Sequence, residues 1–295
     1  MPRTVVPTRY DLELAPDLVT GRFTGTVAIA LEYAEPTAEF ALHATGLDVE
    51  LRELRVRGAR VPATITLDTE RDRVVVRTGK PLGPGPATLT LDFGGTLSGS
   101  LVGLYRSTFT DADGAAHTIA ATQFEAPHAR RAFPCFDEPE FKAVYAVTLV
   151  VADGLSALSN GPEIAREPTG DGRVRVRFGE TIAMSTYLVA FVIGELEVSD
   201  PVDAGGIPLR VVHVPGKAHL GDFALGVGAF AVRFFQDYYG IPYPGEKLDL
   251  VALPDFAFGA MENLGCVTFR ESLLLVDEKN VTQQEAAQVA LTVVH

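Results

Sequence analysis

The sequence predicts a multidomain protein, with an all-β domain over residues 1–200 followed by the beginning of an α+β domain over residues 201–295. Three observations carry that expectation. Up to Asp200 the chain runs in short stretches of alternating apolar and polar residues, broken by Gly, Pro and Asp, and no segment has a helical period. After Asp200-Pro201 the grammar becomes strand, long amphipathic run, strand. At Thr282 a Thr-x-x-Glu pattern opens a second helix.

Strands are expected over 26–33, 73–78, 87–93, 143–151 and 173–178, with turn signals at Asp113-Gly114, Asp153-Gly154 and Asp171-Gly172. Arg173-Val-Arg-Val-Arg177 shows the half-buried alternation most plainly, with the arginines facing solvent and the valines inward. Residues 187–194 are apolar on both faces, as in a central strand. An unbroken succession of strands argues for a sandwich or curved sheet rather than an α/β fold. In the second part a short strand is expected over 211–214. Leu220, Phe223, Val227, Phe230, Phe234 and Tyr238 then recur at helical spacing until Gly240 and Pro242 stop the run, giving a helix over 219–239 whose aromatic stripe reads as core packing. Thr282 caps the first turn of the last helix and Glu285 reaches back; residues 286–295 contain no stop signal, so the sequence ends inside a helix it has every reason to continue.

Bulk properties exclude several classes of function. The 295 residues suffice for two domains with sizeable cores. A formal charge of −13, with no basic cluster beyond Arg130-Arg131, makes nucleic acid and anionic membranes poor partners. No apolar run approaches the roughly 18 to 20 residues of a membrane span, and no signal-peptide core follows Met1, so a soluble, cytoplasmic protein is expected. Two distant cysteines, Cys135 and Cys266, read as buried small hydrophobes.

The stretch with the most chemistry runs from Lys247 to Gly265. It begins as an alternating apolar strand, breaks at Pro254, and then places Gly259 and Ala260 beside Met261, Glu262 and Asn263. Two residues with almost no side chain let another backbone approach and pair as an added strand. Glu262 then sits where a fixed anion meets the start of a peptide, which suits a free α-ammonium. Taken alone, the same residues also fit an edge strand and a tight turn with a solvated glutamate.

The run from Tyr238-Tyr-Gly-Ile-Pro-Tyr-Pro244 through Gly265, with Gly-Ala-Met-Glu-Asn at 259–263, resembles the aminopeptidase N family of zinc metallopeptidases. So does a second, distant block, from Thr122-Gln123-Phe-Glu125-Ala-Pro-His128 to Asp137-Glu138-Pro-Glu-Phe-Lys142. The resemblance implies a saddle-like N-terminal β domain, to which Gly103-Leu-Tyr-Arg-Ser107 is loosely similar, and an incomplete thermolysin-like catalytic domain. It implies a zinc-dependent aminopeptidase that releases N-terminal residues from peptides. It gives Glu262 and Glu125 to the substrate ammonium, Gln123 to the pocket for the first side chain, and Gly259, Ala260 and Met261 to the peptide backbone. Asn263 holds the turn, and Phe258 floors the first pocket. His295 falls at the first position of the family's His-Glu-x-x-His, as one ligand of a single Zn²⁺. The other histidines, His43, His117, His128, His213 and His219, show no spacing for a second site.

Alternatives remain for particular residues. Glu125 reads from its neighbours as an ion pair with Arg130 or Arg131. On a strand, Gln123 and Glu125 share a face. Asp137-Glu138-Pro139-Glu140 reads as a charged turn. Leu264 departs from the Trp common in the family, and the chain has no Trp. With one zinc ligand and no general base, the 295-residue chain is expected to be catalytically inactive. The rival of a different class is a non-catalytic module that binds peptide N-termini. A leukotriene-hydrolase-like enzyme is disfavoured by Gly-Ala in place of that branch's Gly-Gly.

Overall fold

The computed structural model describes residues 1–295, which form two compact units. The first unit comprises residues 1–105, 122–153 and 163–189, and the second residues 106–121, 154–162 and 190–295.

The first unit is β throughout, as its alternating pattern dictates. Its main sheet has eight strands in the order Glu163–Pro168, Arg173–Phe178, Val144–Ala152, Val5–Asp17, Arg22–Tyr33, Gly85–Thr96, Asp48–Val56 and Ala59–Val61. Every neighbour pair is antiparallel except Val5–Asp17 with Val144–Ala152, where Tyr10 lies opposite Tyr145. Alternate residues of the long strands point into the core: Tyr10, Leu12 and Leu14 from one, Val27, Ile29 and Leu31 from the next, Leu89, Leu91 and Phe93 from a third. The rings of Tyr10 and Tyr145 stack at 4.9 Å. A second, three-stranded sheet orders Thr37–His43, Arg73–Leu82 and Ala63–Asp68.

In the second unit, three parallel strands lie side by side: Pro208–His213, Leu248–Leu253 and Cys266–Arg270. Leu248–Leu253 is buried along its whole length because neighbours flank it on both sides. The two-residue strand Ala260–Met261 pairs antiparallel with Cys266–Arg270 and ends the sheet. Helix α1 (Asp222–Tyr239) packs on this sheet, and Gly240, in left-handed conformation at φ 66°, stops it. Helix α2 (Gln283–Val294) begins with the expected reciprocal cap: Thr282 Oγ1 accepts from the Glu285 N–H at 3.2 Å, and Glu285 Oε2 accepts from the Thr282 N–H at 2.9 Å. A four-stranded sheet orders Ser156–Ser159, Phe191–Gly194, Ala116–Gln123 and Gly103–Thr110. Its strand Phe191–Gly194 is interior and fully buried; the first part of the expected 187–194 strand is instead a 3-10 turn, Thr186–Leu188.

The aromatic stripe of α1 is a correction to the sequence reading. The face packed on the sheet is made of Ala224, Gly228, Ala229 and Ala231. A Cβ on Gly228 would stand 2.9 Å from Leu209 Cδ1, so the helix sits too close to the sheet for larger residues there. Phe230, Phe234 and Tyr238 lie on the exposed side and stack on one another at 5.9 and 5.8 Å. No helix of the protein is long and apolar enough to cross a membrane. Both cysteines are free and buried, and burial pushes the Cys266 thiol up to about 11.

Candidate peptide-binding site

Ala260–Met261 forms the outermost strand of its sheet, with Ala260 opposite Phe269 and Met261 opposite Thr268. Its other edge is unpaired by any strand, so its backbone groups are free to take up an extended peptide. The alternation along the strand fixes the side chains. Met261 and Asn263 are buried, and Glu262 between them is exposed. Asn263 Nδ2 donates to Thr268 Oγ1 at 3.4 Å and to the Met261 carbonyl at 3.5 Å.

Gly259, Ala260 and Glu262 line one cavity of about 410 Å³ together with His295, and Leu250 and Phe269 contribute to its apolar wall. An acidic residue, a free strand edge and an imidazole therefore open on one space. Phe258 is half exposed and edge-on to Phe256 at 6.4 Å, and it does not line this cavity. Gln288 and Thr292 of α2 do line it, although nothing in the sequence singled them out beyond one-turn spacing from each other and proximity to His295.

Both ends of the edge segment are tied down. Upstream, Asp255 Oδ2 accepts from Ser107 Oγ at 3.0 Å and from the Thr108 N–H at 2.9 Å, while the Arg270 N–H donates to the Gly259 carbonyl at 2.9 Å. Downstream, Gly265 turns the chain at φ 73°, its N–H donating to the Tyr243 hydroxyl at 2.9 Å. Burial pushes the Tyr243 phenol up to about 12, so that hydroxyl stays protonated near neutral pH. The Gly265 carbonyl accepts from Lys247 Nζ at 2.6 Å and from the Asp249 N–H at 3.1 Å. The neighbouring Leu264 carbonyl accepts from Asn160 Nδ2 at 2.9 Å. Leu264, where the resembled family has Trp, is thus held by its backbone. This buried network escaped the sequence reading. Its signal was present, because Lys247 and Asp249 place two charges on one face of a strand that is otherwise entirely apolar.

Gln123 and Glu125 lie in the first unit and do not share a face. The strand ends at Gln123, so the alternation expected of a continuing strand is lost. Gln123 is buried with its side-chain oxygen unpartnered; Phe124 is buried beside it, and Glu125 is exposed. Glu125 forms no pair with Arg130, whose guanidinium is committed to Asp137 at 2.8 Å. In the cluster Asp137-Glu138-Pro139-Glu140, residues 138–140 form the expected charged turn, with Glu140 exposed, and Asp137 departs from it. Asp137 is 4% exposed and accepts from Arg130 Nε and from Thr186 Oγ1, at 2.7 Å, while its N–H donates to His43 Nδ1 at 3.2 Å.

Among the 295 residues no group of three or more His, Cys, Asp or Glu side chains is arranged to hold a metal ion. His295 stands without co-ligands, so the residues present do not make a metal centre.

The chain matches the peptidase M1 N-terminal domain over residues 6–188 and the peptidase family M1 domain over residues 223–295. It is 42% identical to aminopeptidase M1-B of Oryza sativa subsp. japonica over 295 residues, which is 100% of this chain and 33% of that protein. It is 41% identical to aminopeptidase M1 of Arabidopsis thaliana, covering 34% of it, and 35% identical to endoplasmic reticulum aminopeptidase 1 of Homo sapiens, covering 32%, each across 100% of this chain. The chain spans about a third of the length of these curated relatives. With an all-β first part, an α+β second part and family matches along most of its length, the chain belongs to the peptidase M1 family.

Proposed function

We propose that this chain provides the peptide-binding surface of a zinc-dependent aminopeptidase, which releases N-terminal residues from peptides. The observation that carries the reading is the opening of the exposed Glu262 carboxylate, the free edge of Ala260–Met261 and His295 on one cavity. An extended peptide adds to the edge through its backbone, so its side chains need not be specified for it to bind. Glu262 takes the α-ammonium at the end of that added strand. A carboxylate at about 4 Å from an ammonium is attracted by roughly 4 kcal/mol at an effective dielectric near 20, before desolvation is subtracted. An acetylated or internal amide gains none of this, which is how a free N-terminus is told from the middle of a chain. Anchoring the amine fixes the first peptide bond at a set distance along the strand and orients it for attack.

The role of Glu125 as a second anion for the amine, and of Gln123 at the first side-chain pocket, rests on the motif match and belongs to the same proposal. So does His295 as one ligand of the zinc, whose remaining ligands are not among these residues. Binding of peptide N-termini without cleavage is the reading this same ligand count favours for the 295-residue polypeptide itself. A direct test compares a short free-amine peptide amide with its N-acetylated twin in calorimetric titrations of the protein. Tighter binding of the free amine is expected, and equal affinity for the two peptides overturns the proposal.

A further inference from the structure

We propose that Lys247 is a positioning residue for Glu262: its buried ammonium, together with the Asn160 side chain, fixes the Leu264–Gly265 turn and thereby sets where the Glu262 carboxylate stands. The inference rests on the reading of Glu262 as the amine anchor.

Lys247 is 4% exposed, and all three of its ammonium donors are used, on Ser159 O at 2.7 Å, Asp249 Oδ2 at 2.7 Å and Gly265 O at 2.6 Å. A buried ammonium is costly unless it is paired and fully hydrogen-bonded, and here both conditions hold. Neutralising Asp249 does not by itself require Lys247. The Arg210 guanidinium already grips both oxygens of that fully buried carboxylate, at 2.8 and 2.9 Å. What Lys247 adds is a pair of bonds to backbone carbonyls from two separate segments, residue 159 and residue 265. It is a cross-link between the strand Ser156–Ser159 and the turn that follows Glu262.

Asn160 makes the same connection one residue further on. Its Nδ2 donates to the Leu264 carbonyl and its Oδ1 accepts from the Ala190 N–H at 3.0 Å. The close approach also requires a glycine, since a Cβ on Gly265 would meet the Asn160 carbonyl oxygen at 2.2 Å. Met261 is locked by pairing with Thr268 on one side of Glu262, and Leu264–Gly265 is locked on the other. The exposed carboxylate therefore projects from a backbone held at both ends, and downstream Lys247 and Asn160 share the hold with the Tyr243 hydroxyl and the Asp249 N–H.

The test uses Lys247→Met, which keeps the stem and removes the donors, and Asn160→Ala, which cuts the bonds to the Leu264 carbonyl and the Ala190 N–H but leaves the buried charges paired. Two readouts are taken: hydrogen exchange of the Asp249 and Gly265 amides against a core amide of the same unit such as Val251, and the affinity ratio of a free-amine peptide amide to its N-acetylated twin. Global destabilisation lowers both affinities together, whereas a displaced Glu262 lowers the ratio. The expected result is faster exchange at Asp249 and Gly265 with unchanged core protection, and a ratio reduced about tenfold in Lys247→Met and severalfold in Asn160→Ala. If Lys247→Met does not fold, Asn160→Ala alone decides. A folded variant with wild-type exchange at Gly265 and a wild-type ratio overturns the inference. If the wild-type protein shows no preference for the free amine, the amine-anchor reading fails instead, and the exchange data alone establish or overturn the role of Lys247 in the turn.

Discussion

Replacing Gly265 by Ala is the most discriminating stability experiment, because the protein contains its own control. Gly265 and Gly240 both adopt left-handed backbone, at φ 73° and φ 66°. An alanine in that conformation costs roughly 1–2 kcal/mol wherever it occurs. At Gly240 nothing lies within 4 Å of the added methyl, so about 1 kcal/mol is the whole expected effect. At Gly265 the methyl falls 2.2 Å from the Asn160 carbonyl oxygen, which is backbone and cannot swing aside. The turn must retreat, and the bonds from Lys247 Nζ, Asn160 Nδ2 and the Asp249 N–H stretch with it. Losing one charged and one neutral hydrogen bond adds about 2–4 kcal/mol. Gly265→Ala should therefore cost about 3–5 kcal/mol. With a urea slope of roughly 2 kcal/mol/M, the midpoint of the second unit falls by about 1.5–2.5 M, against about 0.5 M for Gly240→Ala. The chain has eight tyrosines and no tryptophan, so tyrosine fluorescence reports the transition. Equal shifts for the two variants would refute the close packing of Gly265 against Asn160 and the clamp built on it.

Three further outcomes follow from the titrating groups and the helix cap. Burial, with Arg130 nearby, lowers the His43 imidazole from 6.5 to about 4, so the unfolded chain binds more protons between those values; stability must fall as pH drops from about 6.5 to 4, by at most roughly 3 kcal/mol, and His43→Gln should flatten that part of a pH-stability curve measured by urea midpoints. His117 lies between Asp111 at 2.7 Å and Glu195 at 3.0 Å, and its hydrogen bond to Asp111 raises its pKa. The stabilisation this gives is present below the ordinary histidine range, where the carboxylates are still ionised, and is lost as pH rises through the elevated value; a proton NMR titration of the ring that shows an ordinary midpoint would contradict it. Thr282→Ala removes the hydroxyl that accepts from the Glu285 N–H, leaving the backbone half of the capping box, and should cost about 1 kcal/mol, seen as faster exchange of the Glu285 and Ala286 amides, while the first unit is unchanged.

Much of the fold was legible from periodicity alone. Arg173–Phe178 was located residue for residue because its alternation is strict and both its ends carry turn or loop residues. The cap at Thr282 was equally plain, since the chemistry of a capping box lies within four residues. Long-range chemistry was less visible. Asp137 sits in a cluster of acids that reads as a charged turn, and only the tertiary structure brings Arg130, Thr186 and the His43 ring to it. The aromatic stripe of α1 misled for the opposite reason. Helical spacing identifies a face but not which face is buried, and the tight approach at Gly228 gives the sheet to the small residues. Of the candidate site, the residues from Gly259 to Asn263 were found by their motif. The buried anchors Lys247 and Asn160 were not: Lys247 and Asp249 mark a buried charge pair on an apolar strand, but the carbonyls of Ser159 and Gly265 and the Asn160 side chain reach it only through the tertiary structure.

The central claim is that Glu262 takes the ammonium of a peptide N-terminus, and a double-mutant cycle measures it most directly. One edge of the cycle is Glu262→Gln and the other is acetylation of the peptide amine, with affinities from calorimetric titration at low and physiological salt. The account predicts a coupling energy of about 1–3 kcal/mol that shrinks as salt is raised, the Coulomb attraction less its desolvation cost. A coupling indistinguishable from zero, with both proteins folded and both peptides bound, would contradict it.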